Sequence, residues 1–257
     1  MHPALLNVQV DRDVLYLTLN RPAKHNALST ALLTELHEAF SLYRDDPTLK
    51  AAVVTGAGEQ SFAAGGDLKE FDSIRSADQV LTMRATAMAA LDAVRNFPVP
   101  VVAALNGDAR GGGAELALAC DLRIAAGHTK IGFIQSRLAI TPAWGGGVDL
   151  LELLGSAKGL RLMASGDLLT AETALELGLL EAVAAPDQAI SEFIEDFLEP
   201  LRRLTPLVAR GLKTLSAAAK RGASREELLA LEAQSLVDTW VHDDHWEAVS
   251  RAFKPGS

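Results

Sequence analysis

Two glycine clusters, each placed after a predicted buried strand, are the clearest candidates for chemistry in this sequence. Gly65-Gly66 follows one apolar run and Gly111–Gly113 follows another. Glycine permits backbone conformations that a side chain blocks, so such a turn can present a backbone N–H outward. Either cluster alone is typical of an ordinary strand–turn–helix junction. Together they can direct two N–H donors at one oxygen, which predicts an oxyanion hole formed by Gly66 and Gly112.

A carboxylate follows the second glycine cluster by a short step. Glu115 begins a short apolar helix predicted over Glu115–Ala119. A carboxyl group beside an oxyanion hole can pass a proton to or from a reacting molecule. The sequence therefore predicts that Glu115 is a general acid/base.

The elements that must position these residues alternate between strands and helices through residue 135. Short apolar runs and period-2 alternation predict the strands, and the turn Asp11-Arg12-Asp13 predicts a hairpin between the first two. Strands that alternate with helices indicate an α/β fold with right-handed crossovers. The predicted strands are Val8–Val10, Val14–Leu19, Ala51–Thr55, Val101–Leu105, Leu122–Ala125 and Ile131–Phe133.

Helical patterns dominate the rest of the chain. One helix is predicted over residues 30–44 and another over 77–96, and the GGD of the first cluster indicates a helix start at its aspartate. After residue 147 the pattern is helical, with one apolar stretch at Leu180–Ala184. We predict an α/β core over residues 1–195 and a helical C-terminal region over 196–257.

Composition excludes several classes of function. Hydrophobic residues make up 49% of the 257 positions, which is enough for a sizeable core. A net charge of −9 argues against nucleic-acid binding, which usually needs a basic surface. A single cysteine forbids an intrachain disulfide. No signal peptide and no apolar run of about 18 residues is evident, so we expect a cytoplasmic protein without membrane contact.

Four segments in order resemble the crotonase superfamily, which contains the enoyl-CoA hydratases and isomerases. They are LNRPAKHNAL (19–28), SFAAGGDLKE (61–70), NGDARGGGAELALACDLRIA (106–125) and ASGDLLTAETALELGLLEAV (164–183). The resemblance implies a crotonase-like spiral of ββα units whose helical C-terminal region drives assembly into a homotrimer or a dimer of trimers. It also implies an acyl-CoA substrate, a stabilised thioester enolate, no metal and no cofactor other than the coenzyme A of the substrate.

The same resemblance assigns site residues. It places the oxyanion hole at the N–H groups of Gly66 and Gly112. It implies further contacts with the coenzyme A part and the acyl part of the substrate. These contacts come from Lys24, His25, Ala27, Ala64, Asp67, Leu68 and Lys69.

One departure from the family pattern concerns the reaction itself. Hydratases of this family resemble one another in using two glutamates twenty residues apart, and the first matches Glu115. The second position holds Gln135, which can hold a water or a carboxylate but cannot exchange a proton at neutral pH. Loss of one acid/base group often costs about 10²–10⁴ in rate, so we predict impaired hydration. The nearest later glutamate, Glu152, lies in a helical pattern that is typical of a solvated face.

Three other functions remain open from the sequence. An isomerase reaction of the same family is one rival of hydration. The segment FIQSRLAITPAWGG (133–146) resembles the malonyl-type decarboxylase branch, in which Gln135 and Trp144 would orient and desolvate a departing carboxylate. Trp144 is equally consistent with core packing. A non-catalytic CoA-binding protein is the third hypothesis, and the retained Glu115 with its two glycine turns argues against it.

Charged groups near the C-terminus have simpler interpretations. The run His242–His245 resembles a metal cluster, but neighbouring helical residues do not converge on one ion, so we expect a solvated turn. Lys254 lies where the resemblance places a cation toward the CoA phosphates. A set of basic residues is predicted to form a solvated helix face, namely Arg202, Arg203, Arg210, Lys213, Lys220 and Arg221.

Overall fold

Two β-sheets organise residues 4–252, which are the residues that the computed structural model of this protein describes. The larger sheet has the order β1-β2-β3-β5-β7-β10, and the smaller has the order β4-β6-β8-β9. The strands are β1 (Leu6–Asp11), β2 (Val14–Leu19), β3 (Ala51–Gly56), β4 (Ser61–Ala63), β5 (Val101–Leu105), β6 (Asp108–Arg110), β7 (Leu122–Ala125), β8 (Lys130–Gly132), β9 (Leu169–Thr170) and β10 (Ala182–Val183).

Strand pairing follows the predicted α/β pattern. Strands β1 and β2 form an antiparallel hairpin, and β2, β3, β5, β7 and β10 pair in parallel. Arg12 and Asp13 both have positive φ, 46° and 64°, as a two-residue hairpin turn requires. The smaller sheet is parallel from β4 through β8, and β9 joins it antiparallel. The predicted α/β fold with parallel sheets is confirmed.

Helices cover the sheets and complete the C-terminal region. Ser29 caps the first helix, and Ser76 forms a capping box with Gln79 at the start of the second. The helices are α1 (Thr30–Tyr43), α2 (Ala77–Arg95), α3 (Gly112–Ala119), α4 (Gly146–Leu154), α5 (Ser156–Ser165), α6 (Ala171–Leu177), α7 (Ile190–Arg202), α8 (Pro206–Lys220), α9 (Arg225–Trp240) and α10 (Asp243–Ala252).

Both faces of the larger sheet are buried along its central strands β2, β3, β5 and β7. Alternate residues of each strand point to opposite faces, so Val54 lies in the main core while Val53 lies in a second, smaller core. Helix α7 supplies Ile194 and Leu198 to that second core. It therefore runs across the boundary predicted between residues 195 and 196, and the division into two regions stays a prediction.

The short strands differ from the sequence-based expectations. Strands β4, β6 and β9 have two or three residues each and were not predicted, because their stability comes from pairing with distant segments rather than from a local apolar pattern. Strand β6 separates β5 from the second glycine cluster. The helix predicted to start at Asp67 is wrong, since a turn and a 3₁₀ segment at Phe71–Ser73 lead instead to the capping box at Ser76.

The basic residues of the C-terminal region are corrected in part. Lys213 is 5% exposed, and its Nζ lies 2.6 Å from Asp121 Oδ2. Arg202 pairs with Glu195. The prediction of a solvated face is therefore wrong for Lys213 and Arg202, because α7 and α8 dock on the core through these cations.

The His242–His245 run and Lys254 are the other charged groups near the C-terminus. His242 pairs with Asp244 at 3.3 Å, and residues 4–252 contain no group of three acidic, histidine or cysteine side chains arranged to hold a metal ion. None of the helices in that range combines the length and apolarity that crossing a bilayer requires. Lys254 lies outside the described residues.

Candidate active site

The first glycine cluster lies in the loop that follows β4. Backbone hydrogen bonds join this loop to the segment before α1. The Leu28 N–H donates to the Gly65 carbonyl at 2.8 Å, and the Asp67 N–H donates to the Leu28 carbonyl at 3.1 Å. Gly65 has φ +100°, a conformation that residues with a Cβ rarely adopt. Within residues 4–252 the Gly66 N–H has no hydrogen-bond acceptor, so it is available to a bound molecule.

The second glycine cluster opens α3, which is buried along its whole length. A Cβ on Gly113 would lie 2.1 Å from the Ala63 carbonyl oxygen, so only glycine allows α3 to pack this closely on β4. A Cβ on Gly65 would lie 3.5 Å from the Gly112 nitrogen, which places the two clusters side by side. The first N–H groups of a helix have no acceptor within the helix and carry its positive dipole end. The structure thus brings the two predicted N–H donors together.

Glu115 lies in the first turn of α3, is 2% exposed, and accepts hydrogen bonds on both carboxylate oxygens. The Gln135 side-chain amide donates to its Oε1 at 2.9 Å, and the N–H groups of Trp144 and Gly146 donate to its Oε2 at 2.8 and 3.0 Å. Burial raises the pKa of Glu115, and these donors oppose part of that rise. A carboxyl group whose pKa is raised toward neutrality is suited to accepting and returning a proton.

Gln135 lies beside Glu115, in a 3₁₀ segment at Ile134–Leu138. Its Nε2 donates to the Glu115 carboxylate, which leaves the Oε1 of the same amide as the free acceptor. That oxygen is buried and has no hydrogen-bond partner within the described residues. An unsatisfied buried acceptor costs about 1–3 kcal/mol, so the position is suited to a bound donor such as a water or a hydroxyl group.

The Trp144 indole packs directly against both glycines of the predicted hole. It is 6% exposed. A Cβ on Gly112 would lie 2.3 Å from its Cζ3, and a Cβ on Gly66 would lie 3.4 Å from its Cη2 and 2.8 Å from the Phe71 ring. Trp144 therefore has the packing role expected as one alternative, and it also forms an apolar wall beside the two N–H donors.

The loop before α1 lies next to the first glycine cluster. The Ala64 N–H donates to the His25 carbonyl at 3.0 Å. Lys24 and His25 are exposed, and Ala27 is half-buried. This segment therefore adjoins the hole, while its predicted contact with coenzyme A stays a prediction.

The residues after Gly66 separate into buried and exposed groups. Asp67 is buried and pairs with Arg21 at 2.7 Å. Leu68 and Lys69 are exposed. The Asp67 carboxylate thus fixes the loop, whereas Leu68 and Lys69 remain accessible to a substrate.

Sequence reasoning missed the ion pair behind the site. The Arg95 guanidinium in α2 donates to the Trp144 carbonyl at 2.9 Å and to Asp149 Oδ2 in α4 at 2.8 Å. A basic residue in the last turn of a helix is common and usually solvated, so the local pattern offers no signal for this contact.

Comparisons with known proteins identify the family of this chain. The family model described as enoyl-CoA hydratase/isomerase matches residues 9–254. The crotonyl-CoA hydratase of Syntrophomonas wolfei is 36% identical over 179 residues, covering 70% of this chain and 68% of that protein. The (E)-benzylidenesuccinyl-CoA hydratase of Thauera aromatica is 34% identical over 213 residues, covering 81% of this chain and 80% of that protein.

A solved structure extends the likeness to the whole fold. The enoyl-CoA hydratase of Bacillus anthracis superposes with a TM-score of 0.90 at 31% identity, covering 96% of this chain and 95% of that one. The predicted crotonase-like fold is confirmed, while these comparisons give no support to the malonyl-type decarboxylase branch. The chain belongs to the enoyl-CoA hydratase/isomerase family and is an enzyme of that family.

Proposed function

We propose that this enzyme adds water reversibly across the double bond of a 2-enoyl-CoA thioester, with Glu115 as its single acid/base group. The observation that carries the proposal is the buried, unpartnered Gln135 Oε1 beside the Glu115 carboxylate. Both are hydrogen-bond acceptors when Glu115 is ionised. The group that fits between them is a donor with two protons, which describes a water molecule.

A water in this position is oriented for addition. It donates one proton to the Glu115 carboxylate and one to Gln135 Oε1, so a lone pair remains directed at the substrate. A substrate carboxylate has only acceptor atoms and would be repelled by both groups. The acceptor pair therefore favours water over a departing carboxylate at this position.

A single carboxyl group can carry out both proton transfers of the proposed addition. The water oxygen bonds to the β-carbon while Glu115 takes a water proton, and the π electrons move to the thioester oxygen as an enolate. The N–H groups of Gly66 and Gly112 stabilise that oxyanion, and one such donor is typically worth about 2.7–4 kcal/mol. Glu115 then returns the proton to the α-carbon, which restores the ionised carboxylate and gives the 3-hydroxyacyl thioester.

One observation favours decarboxylation as a second candidate. The Trp144 indole forms an apolar wall beside both N–H donors, and a departing carboxylate is destabilised by desolvation. In that reaction the bond between the α-carbon and the carboxylate breaks, CO₂ leaves, and its electron pair forms the same enolate. A protonated Glu115 or a water then protonates the α-carbon, and no base is required.

A side-by-side assay separates the two reactions. The purified enzyme is incubated with crotonyl-CoA, methylmalonyl-CoA and ethylmalonyl-CoA, and the product masses are followed. We expect hydration of crotonyl-CoA, strongly reduced by Glu115→Gln and by Gln135→Ala. Glu152→Gln, an exposed carboxylate on α4, is the matched control and should retain activity. Loss of CO₂ with negligible hydration would replace this proposal by the second candidate.

A further inference from the structure

We propose that Arg95 and Asp149 are positioning residues for Glu115, acting through the turn at residues 144–146. This turn supplies two of the three N–H donors that hold the Glu115 carboxylate. Neither Arg95 nor Asp149 contacts Glu115 itself. Their ion pair lies behind the turn and fixes it from the other side.

The contacts of Arg95 are specific to a guanidinium. Its Nε and Nη2 donate to Asp149 Oδ2 at 3.0 and 2.8 Å, and Nη2 also donates to the Trp144 carbonyl at 2.9 Å. Its Nη1 pairs with Asp92 on its own helix at 2.8 Å. A planar fork makes these contacts together, which the single ammonium of a lysine cannot do.

The main chain of the turn is held between Arg95 and Glu115. Trp144 accepts from Arg95 through its carbonyl and donates to Glu115 through its N–H. A Cβ on Gly145 would lie 2.6 Å from Arg95 Nη2, and a Cβ on Gly146 would lie 2.5 Å from Glu115 Cβ. The turn therefore fits between the guanidinium and the carboxylate-bearing residue without free space.

Two further charged groups contact this ion pair. Lys220 from α8 pairs with the second oxygen of Asp149 at 3.2 Å, and Asp92 completes the pairs of Arg95. Within the described residues Glu115 forms no salt bridge. A buried ion pair is weak evidence for stability on its own. Its location behind the two N–H donors is what indicates a positioning role.

Two effects follow if the ion pair is broken. The turn relaxes, so the N–H groups of Trp144 and Gly146 stabilise the Glu115 carboxylate less and the pKa of Glu115 rises further. The carboxyl group also loses its alignment with the substrate α-carbon, and a displacement of about 1 Å can cost about 10²-fold in rate.

The test uses a reaction step that is independent of water addition. Exchange of the α-proton of butyryl-CoA for deuterium requires the oxyanion hole and a base. We measure its rate against pH for Arg95→Lys and Asp149→Asn in the full-length protein. We expect kcat to fall about 10- to 100-fold, KM to change by less than about threefold, and the acid limb of the profile to move to higher pH.

The matched control is Arg123→Lys. Arg123 is more deeply buried, with its side chain 4% exposed against 17% for Arg95. It pairs with Glu181 at 2.6 Å and donates to the carbonyls of Leu179 and Cys120, but it does not contact the turn. Its loss should lower the melting temperature and leave the acid limb in place. If Arg95→Lys does not fold, the test is made with Asp149→Asn alone, because asparagine has nearly the same size as aspartate.

The proposal is overturned if the Arg95 and Asp149 variants match the control, with the acid limb unmoved. It rests on the enolate chemistry of the family and not on hydration. If the wild-type enzyme exchanges the α-proton but hydrates no enoyl-CoA, the proposed function fails while the positioning role is still decided by the variants.

Discussion

In the proposed reaction Glu115 accepts and returns the proton, because Gln135 cannot exchange one at neutral pH. Its environment is suited to both steps. Burial favours the protonated carboxyl, while the N–H groups of Trp144 and Gly146 and the Gln135 amide favour the carboxylate. The balance raises the pKa of Glu115 above that of an exposed glutamate.

Replacing Glu115 by glutamine should lower kcat for the acyl-CoA reaction by about 10²–10⁴-fold, since a positioned acid/base group contributes that much. The wild-type profile of kcat/KM should fall as pH decreases through the raised pKa of Glu115, because the base must be ionised. Both are measured by steady-state kinetics across pH 4–8. An acid limb at the position of an ordinary glutamate, pH 4.5, would contradict this account of the carboxyl group.

The Trp144 ring should limit the size of the acyl group that reaches the hole. Trp144→Phe frees space beside Gly66 and Gly112, so we expect kcat/KM for six- to eight-carbon enoyl-CoA substrates to rise relative to crotonyl-CoA. Trp246→Phe, at an exposed position of α10, is the control with the same change of side chain. An unchanged ratio in Trp144→Phe would show that another wall sets acyl length.

Helix α7 is attached to the larger sheet by a polar cluster as well as by its apolar face. The Tyr16 hydroxyl of β2 donates to Glu195 Oε1 at 2.9 Å, and Arg202 donates to Glu195 Oε2 at 2.7 Å. The hydrogen bond from Arg202, with those from Tyr16 and Arg12, lowers the pKa of Glu195 to about 2. Burial raises the pKa of Tyr16 to about 12.

Because of this polar cluster, we expect the stability of the folded protein to decrease in acid. A carboxyl whose pKa is lowered by folding stabilises the protein above its unfolded pKa, 4.5 for glutamate, and that contribution is lost as pH falls toward about 2. Glu195→Gln should therefore lower Tm at pH 7 by about 1–3 °C, given the partial exposure of the pair. The difference from wild type should shrink between pH 4.5 and 2. Thermal melts that show a constant difference across this range would exclude the mechanism.

The strands and helices differ in how well they can be predicted from their own residues. Strands β2, β3, β5 and β7 were predicted because each carries its own alternating or continuous apolar pattern. Strands β4, β6 and β9 were not, because two or three residues carry no pattern and pairing across the chain stabilises them. The family resemblance, with its two glutamate positions twenty residues apart, predicted that Glu115 and Gln135 lie close together. The contact of Arg95 with Trp144 depends on how α2 meets α4, which no local pattern encodes.

The whole molecule retains an apolar surface on its C-terminal helices. The large apolar side chains of this surface are about half exposed or more, which is unusual for a surface in contact with water only. The homotrimer or dimer of trimers implied by the resemblance stays a prediction that this surface supports. This surface, here called the α9 stripe, consists of Leu229, Leu236, Val237 and Trp240 of α9 and of Val241, which follows the helix.

A charge on this stripe should weaken assembly. We expect wild-type protein to sediment at three or six times the mass of one chain, and Leu236→Asp to shift the distribution toward lower mass because it places a carboxylate in an apolar contact. Leu42→Asp, on an exposed position of α1, is the control. A wild-type monomer in analytical ultracentrifugation would contradict the predicted assembly.

The spatial order of the larger sheet bears on how the chain is made by the ribosome. Within this sheet each strand lies beside the strand of the same sheet that was synthesised before it, so each new strand of the sheet adds to an edge that already exists. At 5–20 residues per second, the 45 residues from Gly56 at the end of β3 to Val101 at the start of β5 emerge in roughly 2–9 s. The apolar edge of β3 is therefore exposed for seconds during translation, which is when chaperones that bind unpaired strands have access to it.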